Sequence, residues 1–241
     1  MEIKTNAIAL KSADYKENDK LTWLYSVEHG KICVIAKGVK KATAKLKFAV
    51  EPFCFGEYTL SDSYGKFVLT GCSQVESFYD LRTDTDKFYC GAVMIDTVSQ
   101  LEVEKQPNPA VFLLLLKSLQ NLIGEANPKV VLIKFILSYL ETAGYKINLD
   151  ECGVCRSINF ERMYLDFNSS CFVCPACRTV DSIEIPPAVL STLKMINDFP
   201  FDRLTVVKVK DIYLNQSLSL LDAYIEQSMT KIKSLKQLLD L

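Results

Sequence analysis

The sequence predicts an α+β chain: a small N-terminal β-barrel over residues 1–80, then an α-helical domain over 81–241 with a four-cysteine zinc ribbon inserted at about 150–182. Three observations lead there. Residues up to about 80 alternate with the period of strands, and the period becomes helical from about Asp84. Two Cys-x2-Cys pairs then interrupt the helical part.

The barrel rests on five short strands. Asn6-Ala7-Ile8-Ala9-Leu10 alternates, and Leu21-Thr22-Trp23-Leu24-Tyr25-Ser26-Val27 is a second strand. Glu28-His29-Gly30 is a tight turn with glycine available for positive φ, and Lys31-Ile32-Cys33-Val34-Ile35-Ala36 follows it. After a basic loop, Phe53–Leu60 and Phe67–Cys72 form a further hairpin, with Ser61-Asp62-Ser63-Tyr64-Gly65-Lys66 as its turn and Tyr64 and Lys66 exposed. Five strands in this length suit a closed or nearly closed barrel, most commonly the OB-fold.

The helical part begins with a segment carrying Phe88, Val93, Ile95, Val98 and Leu101 and ending near Glu104. Asn108-Pro109 starts a helix over 110–123, and Asn127-Pro128 starts another over 129–143 that Gly144 closes. Both read as apolar nearly all round, as core helices of a bundle do. Pro186-Pro187 opens a helix to about Asn197, and a single amphipathic stretch is expected over 216–239.

The strongest chemical signal is Cys152-x2-Cys155 followed by Cys174-x2-Cys177. Two thiols two residues apart can face one metal from a tight turn, and a second pair about twenty residues on completes a tetrahedron of thiolates around Zn²⁺. Gly153 and Pro175 supply the turns; Arg162–Phe167 alternates as a strand, and Asn168-Ser169-Ser170 reads as a hairpin turn. Cys171 also forms a Cys-x2-Cys with Cys174 and leaves a second ligand set open; the 174/177 pair is preferred because Phe172-Val173 ends a strand that delivers the next turn. A disulfide framework or plain buried thiols are the competing readings. A four-thiolate site is closed, so its zinc is structural. The ribbon should pin two helices of the domain it interrupts.

Composition narrows the function. The net charge of −1 excludes a generally basic nucleic-acid coat, so any such face must be local. Cys33, Cys54, Cys72 and Cys90 have no paired spacing and, with no secretory signal at the start, read as reduced thiols of a cytosolic protein. The longest apolar runs, 111–116 and 130–140, are too short to span a bilayer. From Lys31 to Lys47 there are six lysines and no acid: Lys31, Lys37, Lys40, Lys41, Lys45 and Lys47. Such a loop beside Phe48, Phe53 and Phe55 could follow a phosphate backbone. A merely solvated loop is the plainer alternative, and the aromatics are more often barrel core.

Enzyme chemistry is not encoded in any recognisable pattern. There is no Gly-rich phosphate loop, the one histidine, His29, lies in a turn, and no His-x-Glu precedes the cysteines. Asp14, Glu17 and Asp19 could hold Mg²⁺ for a nuclease, and a polar loop explains them equally well.

The order of parts resembles the RecO family of bacterial recombination mediators. Lys4-Thr5-Asn6-Ala7-Ile8-Ala9-Leu10, Asp14-Tyr15-Lys16-Glu17-Asn18-Asp19-Lys20, Glu28-His29-Gly30-Lys31, Ala36-Lys37-Gly38-Val39-Lys40-Lys41, Pro52-Phe53 and Gly56-Glu57 carry the resemblance, together with the cysteine pairs. It covers the whole chain. Two departures stand out: Ser170-Cys171 where the family often has Gly-Gly, and few arginines after Lys41. The resemblance implies a non-enzymatic DNA repair and recombination protein of the bacterial cytoplasm and nucleoid. Such a protein binds single- and double-stranded DNA, anneals complementary strands and, with RecR (and RecF), loads RecA onto DNA coated by single-strand binding protein, whose acidic C-terminal tail it also binds. By that resemblance Lys37, Lys40 and Lys41 contact DNA; Lys45 and Lys47 join them by charge alone. The alternative is a zinc-ribbon and helical protein–protein adaptor without direct DNA binding.

Overall fold

The computed structural model describes residues 2–63, 66–159 and 161–240. The chain forms two compact units, Met1–Ile123 and Gly124–Leu241.

The first unit opens with a closed five-stranded barrel of OB-like form. Its strands are β1 (Glu2–Tyr15), β2 (Asp19–Ser26), β3 (Gly30–Ala36), β4 (Phe55–Ser63) and β5 (Lys66–Glu76), in the order β1-β2-β3-β5-β4. β1 is long enough to serve two neighbours. Its first half pairs with β4 and its second with β2, and a bulge between Ala9 and Lys11 bends it from one to the other. β3 and β5 close the barrel through a short parallel seam, Val34↔Phe67 and Ile35↔Val68. Inward residues at every second position make the core, among them Ala7, Ala9, Leu24, Ile32, Val34, Leu60 and Leu69. Buried Tyr58 satisfies its hydroxyl by donating to the Ala49 carbonyl at 2.9 Å. The β2–β3 turn needs its glycine. Gly30 has φ +64, and a Cβ there would lie 2.1 Å from the Gln106 carbonyl oxygen.

The expected turn at 61–66 is shorter than the sequence suggested. β4 runs to Ser63 and β5 starts at Lys66, and the ladder continues to the tip through Ser61↔Val68, Asp62↔Phe67 and Ser63↔Lys66. Tyr64 and Gly65 lie outside the described residues.

The same unit holds α1 (Thr85–Leu101) and α2 (Pro109–Leu122). Asp84 and Asn108 cap them by accepting from the Lys87 and Val111 amides. Part of the barrel's outer surface lies beneath them: buried Tyr25 stands 6.2 Å from Phe112 and donates to Glu102 at 2.9 Å. α2 is not apolar-buried all round, since Leu113 is 62 % exposed.

In the second unit, α3 (Pro128–Thr142) is capped by Asn127 and buries nine side chains, from Val130 to Leu140. α4 (Pro187–Asp198) and α5 (Asp211–Ser228) pack against it and each other. The expected single helix over 216–239 is two helices, because α5 ends at Ser228 and α6 (Lys233–Leu239) begins after a break. Met229 leaves helical geometry at φ −135, ψ −90, and the turn lets Ile232 and Leu235 both be fully buried. Between α3 and α4 sits a three-stranded sheet, β7-β6-β8, made of β6 (Met163–Asp166), β7 (Cys171–Val173) and β8 (Ile183–Ile185). Phe172 meets Tyr224 of α5 edge-on at 6.2 Å, and Lys194 of α4 pairs with Asp150 at 2.9 Å, so this sheet and its knuckles lean on two helices.

Candidate metal centre and nucleic-acid interface

Two tight knuckles bring four thiols together. In the first, the Cys152 amide donates to the Ser157 carbonyl at 2.9 Å and the Arg156 amide to the Cys152 carbonyl at 3.0 Å. Arg156 takes φ +61 to close it. The second closes with the Cys177 amide donating to Cys174 at 3.1 Å. The Sγ atoms of Cys152, Cys155, Cys174 and Cys177 all lie within 4.8 Å of one another, and Cys155 and Cys174 are 3.8 Å apart. A tetrahedral Zn²⁺ with Zn–S bonds of about 2.3 Å has sulfur–sulfur edges of about 3.8 Å, so the donor set fits that ion in number, softness and spacing.

The electrostatics of the cluster are those of thiols competing for protons. Burial pushes the Cys152 thiol up, but the backbone amides of Cys155, Cys174 and Val154 outweigh it and hold the group at about 6. Cys177 is pushed up to about 12, first by its contact with the Cys155 thiol and then by burial. Crowded thiols cannot all ionise unless a cation joins them.

Cys171 stands outside this group. It lies on β7, and its thiol donates to Ser169 Oγ at 3.2 Å. It packs against Gly153, where a Cβ would come within 2.6 Å of the Cys171 sulfur and 2.8 Å of its Cβ. Gly153 is therefore glycine for close approach: its amide donates to the Phe172 carbonyl at 2.8 Å and pins the first knuckle to the strand that leads into the second. Ser170, at φ +50, carries the left-handed turn between β6 and β7.

One supporting residue was missed from the sequence. Asp166, 1 % exposed, accepts from the Ser169 amide at 2.9 Å, Ser169 Oγ at 2.7 Å, Ser182 Oγ at 2.6 Å and Thr179 Oγ1. The Ser182 and Thr179 hydroxyls, ahead of the opposing effect of burial, hold its carboxyl well below the usual carboxylate range. It ties the β6–β7 turn to the segment after Cys177. The signal available was an Asp three residues before Ser169, the pattern of an Asx turn.

The basic loop follows β3 at the barrel rim. Lys37, Lys40, Lys41, Lys45 and Lys47 are all exposed. Between them Val39 is buried in the barrel core, and Leu46 and Phe48 pack against it. Backbone bonds fix the loop to the β1–β2 turn: the Gly38 amide donates to Asp19 Oδ1 at 2.8 Å and the Lys40 amide to the Asn18 carbonyl at 3.1 Å. Lys40 also pairs with Asp14 at 2.8 Å, and this bond lowers the Asp14 pKa. Lys31 is placed apart from them; its ammonium donates to the Ser99 carbonyl at 2.7 Å and its pKa is lowered, chiefly by burial. Phe53 is fully buried and meets Phe88, and Phe55 meets Phe112, so these rings serve packing.

The acidic trio does not converge. Asp14 faces Lys40 and Asp19 caps the basic loop, and among the described residues the four cysteines are the only group of three or more potential metal ligands. Also among the described residues, no helix is long and apolar enough to cross a membrane.

Comparison with known proteins decides the family. The model for "Recombination protein O N terminal" matches residues 1–78, and that for "Recombination protein O C terminal" matches residues 82–236. The chain belongs to the RecO family. Among its RecO relatives, the DNA repair protein RecO of Clostridium novyi is 30% identical over 229 residues, covering 95% of this chain and 90% of its own. That of Bacillus pumilus is 31% identical over 229 residues, with 94% and 89% covered. That of Bacillus subtilis is 28% identical over 242 residues, with 100% and 94% covered.

Proposed function

We propose that this RecO-family chain is a non-enzymatic DNA repair and recombination mediator. In this reading, residues 1–80 form the DNA-binding barrel and residues 81–241 the helical domain that carries the ribbon. The protein binds single- and double-stranded DNA, anneals complementary strands and, with RecR (and RecF), helps load RecA onto DNA coated by single-strand binding protein. Five exposed ammoniums, Lys37, Lys40, Lys41, Lys45 and Lys47, on a loop anchored to the barrel rim are the observation that carries it. Anchoring matters because a pre-ordered cationic track loses little conformational freedom when a phosphate chain lies on it. Annealing asks for no catalytic group: strand repulsion must be screened while base edges stay free to pair. Lys40 contributes by exchanging Asp14 for a phosphate.

Cys152, Cys155, Cys174 and Cys177 hold a structural zinc ion in this reading. The ion would neutralise the crowded thiolates and lock the two knuckles to each other, stabilising the ribbon on α4 and α5.

The test is binding to an unstructured, labelled single strand across a salt series. Replacing Lys37, Lys40 and Lys41 with Ala should make the slope of log K against log salt shallower by about 2. An unchanged slope moves the phosphate track elsewhere. Absence of binding at low salt refutes direct DNA contact and leaves the protein adaptor.

A further inference from the structure

The outer surface of the barrel is divided. The part carrying Ile8 and Tyr25 is fully buried, with Tyr25 set against α2. Further along β1, β2 and β3 the outward face is mostly apolar and only partly buried. Register places Lys11, Trp23 and Cys33 side by side across three strands, and Ala13, Leu21 and Ile35 beside them. Neighbours in register share a face, and since Leu24 and Val34 point into the core, these residues point outward. Tyr15 continues the same face of β1 to the β1–β2 turn, four residues beyond Lys11. Trp23, Leu21, Ile35 and Tyr15 are half-buried.

This strip has a cationic rim. The Lys11 ammonium lies 5.2 Å from the centre of the Trp23 ring, and that of Lys16 lies 5.3 Å from the Tyr15 ring. Beside the strip, at the β3–β5 seam, a cavity of about 350 Å³ is lined by Tyr15, Leu21, Ile35, Phe67, Lys66 and Lys105, with Lys31 and one acid, Glu104, also at its wall. The Tyr15 end adjoins the basic loop, because the neighbouring Asp14 pairs with Lys40.

We infer that this strip is a stacking platform for the unpaired bases of single-stranded DNA, with Trp23 and Tyr15 as the stacking rings. The inference rests on the DNA-binding reading above and adds a site to it. Every base has a flat π-face that stacks on an indole or phenol whatever its sequence. A polyanion with apolar bases is the ligand whose chemistry matches an aromatic strip rimmed by ammoniums and continuous with a lysine track. Lys11 and Lys16 now cap the two rings; when bases stack there, the flexible lysines turn to the adjacent phosphates. A duplex, whose bases are already stacked, gains nothing from the platform.

Trp23 is the only tryptophan of the chain, so the wild-type protein reports on itself. Its intrinsic fluorescence is followed while oligothymidylate is added, and binding is measured in parallel by anisotropy of the labelled oligonucleotide. The expected result is quenching that saturates with the anisotropy. An abasic oligomer of equal length should leave the fluorescence unchanged. Trp23→Ala should weaken single-strand binding about tenfold with the salt slope and duplex affinity unaltered, and Trp23→Phe should restore most of the loss. Anisotropic binding without quenching overturns the platform and leaves the lysine track standing, as does unchanged affinity in Trp23→Ala. If that variant does not fold, the wild-type titration with normal and abasic strands decides alone. No binding of any strand at low salt overturns the DNA-binding reading and the platform with it.

Discussion

Gly153→Ala is the sharpest single perturbation of the ribbon. The added methyl would sit 2.6 Å from the Cys171 sulfur, 2.8 Å from its Cβ and 3.2 Å from the Phe172 carbonyl oxygen. Non-bonded carbon atoms prefer separations of about 3.5–4.0 Å, so the first two contacts are roughly 1 Å too close. The glycine cannot swing aside freely, because its amide is bonded to Phe172 and the preceding amide to Ser157. The knuckle must instead retreat from β7, which displaces Cys152 and Cys155 from the other two thiols. Overpacking of this kind costs about 1–3 kcal/mol, or roughly 2–12 °C of melting temperature for a chain of this size. Cys171→Gly removes both offending atoms and leaves only the 3.2 Å contact. The double variant should therefore be less destabilised than the sum of the singles by at least about 1 kcal/mol. Thermal melting of all four proteins, with zinc release to a chelator followed by absorbance, reads the result. A Gly153→Ala protein with wild-type melting and zinc retention, or a strictly additive cycle, refutes the packing argument.

Two further predictions separate the roles of neighbouring residues. On the structural-zinc proposal, Cys152→Ser should bind no zinc and melt earlier, whereas Cys171→Ala should bind one zinc per chain by elemental analysis; the reverse pattern would move the ligand set to Cys171. For Asp166, a depressed carboxyl contributes stability that is fully present above its unfolded value of about 3.9 and is lost as pH falls through the lower folded value. Asp166→Ala should cost about 2–3 kcal/mol at neutral pH, and its gap from the wild type should narrow below about pH 4 in denaturant titrations; a gap independent of pH would show that the carboxylate charge is not what the turn uses.

Much of the organisation was legible from local pattern. Alternation placed all five barrel strands, Asn108-Pro109 and Asn127-Pro128 marked two helix starts to within a residue, and Cys-x2-Cys spacing named four thiols that converge within 4.8 Å. These signals are short-range. A cap, a period or a knuckle is fixed by residues a few positions apart, so one sequence displays it. What failed was also local in appearance and decided elsewhere. The amphipathic pattern over 216–239 is continuous, yet the chain breaks after Ser228 because Ile232 and Leu235 are buried by the turn.

Local pattern specifies the inventory: a strand-rich start, a lysine loop, helices with their caps and a soft four-sulfur ligand set. Which of these residues meet is settled by long-range packing. It excluded Cys171 from the sulfur cluster by seating it against Gly153, and it buried Asp166 under donors from two separate turns. It also covered Tyr25 while leaving Trp23, two residues earlier on the same face, half-exposed. Alternation gives both residues the same outward direction. Whether an outward side chain meets a helix or solvent depends on where segments about 80 residues away in the chain pack, and no local pattern carries that information.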